Sequence, residues 1–242
     1  MKPWGTVPPK NEARPEGPPG FHDADYTVPM ADLRIPPSLN DLLGSAGLAP
    51  LDFETTAKFS VYLSLFVRWN TRINLSSIRE EDAILSRHFV ESIACARALP
   101  GGFSTLLDFG SGGGFPGIPI AICRPETAVT LAESQGKKAA FLQEVVRALG
   151  ISAKVYGGRA ELLTERFGCV TMRAVDRMPE AVEAAASLVA SGGWLALMTT
   201  GAELSRLQSA AGTEFSWSPA IRLPGGTDRH LLLGQAMVSS RA

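Results

Sequence analysis

The chain has 242 residues, of which 45% are hydrophobic and 19% charged, and its formal net charge at pH 7 is -1. This length and apolar content suit one domain of good size, and the near-neutral charge excludes a protein that coats nucleic acid over its whole surface. The three cysteines form no CxxC pair and the three histidines lack metal-ligand spacing, so we expect neither a disulfide framework nor a metal site. The start lacks the apolar stretch of a secretory signal and no run is long enough to span a membrane, so the sequence predicts a cytoplasmic protein.

The N-terminal part of the chain divides into two segments. Residues 1–37 contain nine of the 17 prolines and too little apolar surface to fold, so they are predicted to form a Pro-rich, disordered tail. Residues 38–103 are predicted to form an N-terminal helical cap, because apolar side chains such as Phe59, Phe66 and Ile73 recur on one helical face.

From residue 104 onwards, short apolar runs alternate with helical patterns. The predicted strands are STLLDF, AVTLAE, AKVYGG, GCVTMRAV, GWLALMT and RHLLLGQAMV, and the predicted helices begin near Gly114, Ser134, Glu161, Pro179 and Ala202. For residues 104–242 this alternation predicts an α/β core with a mostly parallel central sheet and helices on both faces. Ligands of such sheets bind at the carboxyl ends of the strands, near the switch in strand order.

A glycine-rich stretch, DFGSGGGFPGIPIAI, follows the first predicted strand and contains five glycines within eight residues. A tight turn alone does not need so many glycines, so we predict a ligand-binding loop. Gly112, Gly114 and Gly117 match the dinucleotide pattern G-x-G-x-x-G, although two prolines fall where a helix would carry the pyrophosphate. The competing pattern Asp-x-Gly-x-Gly-x-Gly begins at Asp108 and is typical of S-adenosylmethionine-dependent methyltransferases with a Rossmann-like sheet.

Two carboxylates accompany this loop. Asp108 can hold the ammonium group at the methionine end of such a cofactor, directly or through water. Glu133, at the end of the second predicted strand, can accept hydrogen bonds from both ribose hydroxyls. An acid at this position also suits NAD enzymes, so Glu133 does not discriminate between the two ligands.

Seven stretches in chain order make the sequence similar to the bacterial 16S ribosomal RNA guanine-N7 methyltransferases, also called the glucose-inhibited division protein B family. They are NLSSIRE, RHFVES, DFGSGGGFPGIPIAI, LAESQGKKAAFL, GRAE, MRAV and DRHLLL, and the resemblance spans roughly residues 60–235. The FPGIP extension of the glycine loop and the ESxxKK run are specific to this family. The Pro-rich tail lies outside the resemblance.

The resemblance implies a Rossmann-like class I S-adenosylmethionine-dependent methyltransferase that acts on N7 of a guanine in the 530 loop of 16S rRNA. Its partner would be that RNA or the small ribosomal subunit, and we expect a monomer without membrane or metal partners. The loop pattern and the resemblance together predict these cofactor-binding residues: Asp108, Gly110, Ser111, Gly112, Gly114, Phe115, Glu133, Ala160, Glu161 and Arg173. Arg173 is also the predicted positioning residue for catalysis, with a structural ion pair to Glu161 or Asp176 as its alternative role.

The chemistry implied for guanine N7 fits the residues present. N7 has a free lone pair and no proton to lose at neutral pH, so we expect in-line methyl transfer without a general base. The end of the fourth predicted strand lacks the Asp/Asn-Pro-Pro-Tyr of amine methyltransferases, and Cys169 is expected in the core rather than as a nucleophile. Because A-form RNA buries N7 in a deep groove, the target should lie in a loop or be extruded.

Basic residues are the candidates for holding RNA. The predicted RNA-binding set is Arg87, Lys137, Lys138, Arg159 and Arg177, and Arg68, Arg72 and Arg79 are further candidates. Lys137 and Lys138 fall in the first turn of a helix, where the helix dipole disfavours cations, so a phosphate partner is one explanation and a solvated basic pair the other. Thr200 departs from the family, which usually has lysine there, and this puts a role of that position in doubt.

Three other functions stay open from sequence alone. The chain could be a methyltransferase of another RNA, a protein or a small molecule. It could be a nucleotide-binding regulatory protein without catalysis. An NAD oxidoreductase is the third, through the displaced dinucleotide pattern.

Overall fold

A computed structural model describes residues 37–238. The predicted disordered tail lies outside the described residues, apart from Pro37. The N-terminal region is helical, as the apolar spacing predicts, and consists of α1 (Pro37–Ser45), α2 (Phe53–Asn70) and one continuous helix made of α3 (Glu81–Ile84), a π-helix (Leu85–Val90) and α4 (Glu91–Ala98).

Helix α2 begins at a strong cap and ends earlier than the apolar pattern suggests. The side chain of Asp52 accepts a hydrogen bond from the Thr55 amide at 2.8 Å, which satisfies an amide that the first turn leaves without a partner. Phe59 and Phe66 are buried, whereas Ile73 lies beyond the helix end and is only partly buried. The loop after α2 folds back because Asn70 Oδ1 accepts from two backbone amides of that loop.

The remaining elements alternate as predicted. They are β1 (Thr105–Phe109), α5 (Gly117–Cys123), β2 (Ala128–Ala132), α6 (Gly136–Leu149), β3 (Ala153–Tyr156), a 3₁₀ turn (Ala160–Leu162), β4 (Phe167–Arg173), α7 (Met178–Ser187), β5 (Val189–Thr199), a second 3₁₀ turn (Gly201–Glu203), α8 (Leu204–Ala210), β6 (Phe215–Trp217), β7 (Ile221–Arg222) and β8 (His230–Ala236). Two details of the prediction are wrong. The helix expected near Glu161 is a single 3₁₀ turn, and the short strands β6 and β7 were not predicted.

The strands form one sheet in the order β3-β2-β1-β4-β5-β8-β6, with β7 also paired to β8. Strands β1 to β5 are parallel, and β8 adds antiparallel to β5. The strand order reverses between β1 and β4, so the loops after these two strands flank the crevice where open α/β sheets bind ligands. The prediction of a mostly parallel, Rossmann-like sheet with an N-terminal helical part is confirmed.

Two hydrophobic cores cover the two faces of the sheet. Leu106 of β1 belongs to a core with α5, α6 and the cap helices, and Leu107 belongs to the opposite core with α7 and α8. This alternation explains the continuous apolar runs of the strands, since both faces of a parallel sheet are covered. Within residues 37–238, no helix has both the length and the apolar character needed to cross a membrane.

Candidate active site

Three cavities lie side by side at the carboxyl edge of the sheet. The central cavity, of about 470 Å³, lies over the glycine loop between β1 and β4. It shares Gly110, Glu133 and Asp176 with the β3-side cavity, of about 400 Å³. It shares His88 and Arg173 with the β5-side cavity, of about 390 Å³. The three together form one continuous site across the switch in strand order.

The glycines of the loop divide into two groups with different neighbours. Gly110 and Gly112 have positive φ (73° and 55°) and line the central cavity, so they combine a turn with close access to a ligand. A methyl group on Gly114 would lie 2.6 Å from Ile118 and 2.8 Å from Tyr62, inside the protein. Gly114 therefore makes room for packing beneath the loop and does not line the three cavities.

Two aromatic residues of the cap hold the loop from below. The hydroxyl of Tyr62 donates to the Gly113 carbonyl at 2.6 Å, and a methyl group on Gly113 would lie 2.8 Å from the ring of Phe66. Both rings also pack against Phe115, at centroid distances of 5.2 and 5.3 Å. Apolar spacing placed Phe66 on the apolar face of a cap helix but gave no sign of either contact with the loop, because these contacts join segments about 50 residues apart.

Asp108 lies under the loop with both carboxylate oxygens engaged. One oxygen accepts from the Gly117 amide at 3.2 Å and the other from the Thr171 hydroxyl at 3.0 Å. Burial raises the pKa of this carboxyl to about 6, and these hydrogen bonds, together with one from Ser111, oppose the rise. Asp108 is not in the wall of the three cavities, so the geometry gives it a role in shaping the loop.

Glu133 joins the loop to the second strand and reaches the central and β3-side cavities. Its Oε2 accepts from the Gly112 amide at 2.9 Å, and its Oε1 accepts from the Gln135 amide at 2.7 Å. A carboxylate has about four acceptor positions, so two remain for a ligand. The structure brings Glu133 together with the loop glycines, as a ribose-binding carboxylate requires.

The β3-side cavity contains residues that the sequence assigned to two different roles. Ala160 and Glu161 line it, and so do Arg159 and Arg177, which were predicted to bind RNA. Arg159 also lies 3.4 Å from the Glu161 carboxylate. Both arginines are therefore in reach of anything that occupies this cavity, and their role in RNA binding stays a prediction.

Arg173 lies at the end of β4, where the central and β5-side cavities meet. Its Nη2 donates to the Arg87 carbonyl at 2.7 Å and to His88 Nδ1 at 2.9 Å, and it lies 3.3 Å from Glu91 Oε2. The ion pair weighed for Arg173 thus exists, but its partner is Glu91. Nη1 is buried and has no hydrogen-bond partner in the described part of the chain.

The π-helix places His88 against both the loop and Arg173. Its ring stacks on Phe115 with centroids 4.9 Å apart, and Nε2 lies 2.8 Å from Ser76 Oγ. Burial and the charge of Arg173 lower the pKa of His88 to about 3, so the ring is neutral at neutral pH. Since Nδ1 accepts from Arg173, Nε2 carries the proton and donates to Ser76. His88 therefore packs against the loop and also fixes an arginine at the site.

Glu91 is a buried carboxylate in the wall of the β5-side cavity and is surrounded by three guanidinium groups. Besides Arg173, it faces Arg87 Nε at 3.1 Å and Arg229 Nε at 3.9 Å. Burial raises the pKa of Glu91, and the three arginines oppose this. Arg229 falls in the family-like stretch DRHLLL but was not predicted as a site residue. Thr200 lines the same cavity.

The other basic candidates differ in their surroundings. Lys138 lines the central cavity, whereas Lys137 is exposed beside it on the first turn of α6. Arg68 forms an ion pair with the buried Glu144 of α6, and Arg79 donates to the Asn70 carbonyl. These last two arginines stabilise the cap and its loop.

Comparisons with known proteins match this architecture. The model of the family described as "rRNA small subunit methyltransferase G" matches residues 55–218. A protein of that name from Xanthomonas campestris pv. campestris (strain B100) is 38% identical over 173 residues, which are 70% of this chain and 81% of the relative. Another of that name, from Roseiflexus castenholzii, is 42% identical over 150 residues, 59% of this chain and 64% of the relative. A methyltransferase structure from Pyrococcus furiosus shares the fold, with a TM-score of 0.52, 15% identity, and coverage of 60% of this chain and 81% of that one.

Proposed function

The chain belongs to the rRNA small subunit methyltransferase G family, and we propose that it transfers a methyl group from S-adenosylmethionine to N7 of a guanine in the 530 loop of 16S rRNA. One observation carries the proposal. The central cavity, which has the features of a cofactor site, opens onto an arginine-lined cavity, and Arg173 and His88 stand at the junction.

The residues present fit S-adenosylmethionine. Gly110 and Gly112 leave space over the loop for the methionine end, and Glu133 has free acceptor positions for the ribose hydroxyls. Ala160 and Glu161, in the β3-side cavity, would cover the adenine. When bound, the cofactor supplies an electrophilic methyl group, which bonds to the N7 lone pair while the carbon–sulfur bond breaks and its electron pair stays on sulfur.

Arg173 is suited to discriminate guanine from adenine. Arg173 lines both cavities, and its guanidinium would donate to the acceptor O6 beside N7 of guanine, whereas adenine has an amino group there. A hydrogen bond from the guanidinium to O6 would leave the N7 lone pair free for the methyl group. With adenine, the Arg173 N–H would face the adenine amino group, and both donors would lack an acceptor. Unpaired polar groups of this kind give strong discrimination in enzymes.

No proton has to be removed from N7, so the reaction needs no general base, and His88 at the junction of the two cavities is not suited to act as one. His88 has both ring nitrogens engaged and a pKa lowered to about 3, so it is a poor general base at neutral pH. The side chains at the junction align and hold the two reacting groups.

The test is methyl transfer from labelled S-adenosylmethionine to unmethylated small subunits, followed by mapping of 7-methylguanine through chemical strand cleavage. Label at a guanine of the 530 loop is the expected result. Cofactor binding without any label in the RNA would contradict it and favour a regulatory protein, and label in protein or small molecules would favour another methyltransferase. A monomeric state and a cytoplasmic location stay predictions.

A further inference from the structure

Two arginines, Arg87 and Arg229, line the β5-side cavity but not the central cavity assigned to the cofactor. Arg87 and Arg229 both point their Nε toward the same oxygen of the buried Glu91, at 3.1 and 3.9 Å. Among the described residues, their terminal nitrogens make no hydrogen bond, and both side chains are about one third exposed to the cavity (34% and 37%). Glu91 thus holds two guanidinium groups side by side with their outer ends free.

The charge of this cluster is unbalanced. Three guanidinium groups, including that of Arg173, surround one carboxylate, so the cluster has an excess of positive charge inside a cavity. Paired guanidinium ends are the preferred partners of phosphate oxygens, because each end offers parallel N–H donors at matching spacing.

The loop between β7 and β8 fixes the second arginine. A methyl group on Gly225 of this loop would lie 2.5 Å from the Ser86 carbonyl, which shows how closely the loop contacts the π-helix that carries Arg87. The Leu223 amide donates to the Arg229 carbonyl at 2.8 Å and closes the loop at its base. Arg229, in the wall of the β5-side cavity, is therefore held at the base of a loop that packs on the π-helix.

We propose that Arg87 and Arg229 together bind one phosphodiester group of the RNA, the one that adjoins the acceptor guanine. This rests on the proposed function. The pair lies in the same cavity as Arg173, so a base at Arg173 and its own phosphate at the pair would be held at two points. An extruded nucleotide presents both groups together.

Replacement of each arginine by glutamine removes the terminal nitrogens and the charge that would face the phosphate. At position 87 the glutamine amide nitrogen lies near the position of the arginine Nε, so the hydrogen bond to Glu91 can be kept. We expect Arg87→Gln and Arg229→Gln each to raise KM for unmethylated small subunits about tenfold, far more than they lower kcat. The affinity for S-adenosylmethionine, measured by calorimetry, should not change.

Salt dependence shows whether the two arginines share one phosphate. If both arginines neutralise one phosphate, the double variant should reduce the slope of log KM against log KCl concentration by about one at fixed Mg²⁺. Each single variant should reduce it by clearly less than one, because the remaining guanidinium still neutralises the same phosphate. Arg229→Lys is the control, because it keeps the charge without the fork and should keep the slope. A loss of about one in each single variant and about two in the double variant would mean two separate phosphates and would overturn the shared site.

A second measurement uses the unaltered protein and small probes. Guanosine 3′,5′-bisphosphate should inhibit methyl transfer at a concentration about tenfold lower than guanosine, and the double glutamine variant should lose this difference. Equal inhibition by both probes would refute the phosphate site. If the unaltered protein methylates the guanine while the variants match it in KM and slope, the phosphate site alone fails; if it methylates no guanine, the proposed function fails.

Discussion

His88 has two roles, which two substitutions can test separately: its ring stacks on Phe115 and its Nδ1 accepts from Arg173. His88→Phe keeps a ring to stack on Phe115 but removes the acceptor for Arg173 Nη2. His88→Asn keeps an acceptor near the position of Nδ1 but loses the stacked ring. The two variants therefore remove different halves of the same side chain.

The size of each effect follows from the partners that remain. A hydrogen bond to a charged group is worth about 1.5–3 kcal/mol, and Nη2 keeps the Arg87 carbonyl and Glu91 as partners, so we take the lower value. A loss of about 1.5 kcal/mol in the transition state lowers kcat about tenfold. His88→Phe should show this loss with cofactor affinity nearly unchanged. His88→Asn should keep most of kcat but weaken cofactor binding, because Phe115 in the cavity wall loses its support.

The pH dependence of stability gives an independent measure. The pKa of His88 is about 3 in the folded protein and 6.5 in the unfolded chain, so between these values only the unfolded state binds the proton. The free energy of unfolding therefore falls as the pH is lowered from 6.5 toward 3. From pH 7 to pH 5 the wild type should lose about 2 kcal/mol that neither variant loses.

The assays are steady-state methyl transfer to unmethylated small subunits, calorimetry with S-adenosylmethionine, and denaturant unfolding at pH 7 and pH 5. If both variants lose the same kinetic parameter, the separation of ring and acceptor is wrong. If His88→Phe loses as much stability as the wild type between pH 7 and pH 5, His88 is not the neutral, buried group described above.

Three further predictions concern the loop and its acids. Gly114→Ala should lower the stability in thermal unfolding by more than Gly112→Ala, because both glycines have positive φ but only a methyl group on Gly114 would lie within 3 Å of other protein atoms. Gly112→Ala should mainly weaken cofactor binding. Equal losses of stability would contradict this. Glu133→Gln should weaken S-adenosylmethionine binding about tenfold in calorimetry, because an amide has one acceptor oxygen for two loop amides and the ribose. The pKa of Asp108 is about 6 in the folded protein and 3.8 in the unfolded chain, so its contribution to the free energy of unfolding falls as the pH rises from 3.8 to about 6. Asp108→Asn should abolish this fall. An unchanged dependence of stability on pH in the variant would refute the assignment.

Much of the fold could be predicted from sequence because the relevant signals are local. Continuous apolar runs predicted strands buried on both faces, and helical spacing predicted the cap. The helix expected at Glu161 is wrong because, of the residues 157–166 that connect β3 to β4, only Ala160–Leu162 are helical, in a single 3₁₀ turn. The strands β6 and β7 are three and two residues long, too short for a periodic pattern.

By itself, the sequence determined the kind of protein and the position of its loop. The spacing of Asp108 and the glycines, the acid at Glu133 and the family-like stretches were sufficient for the fold, the family and the position of the glycine loop. It could not determine which neighbour each group meets, because side-chain contacts join segments far apart in the chain.

Only the tertiary structure decided these partners. Gly114 makes room for Tyr62 and Ile118 inside the protein, and Asp108 turns to backbone and Thr171 beneath the loop. Arg173 pairs with Glu91, some 80 residues before it in the chain. A buried charge must find its counter-charge wherever the fold brings one, and the fold here brings Glu91, at the start of α4, to the end of β4.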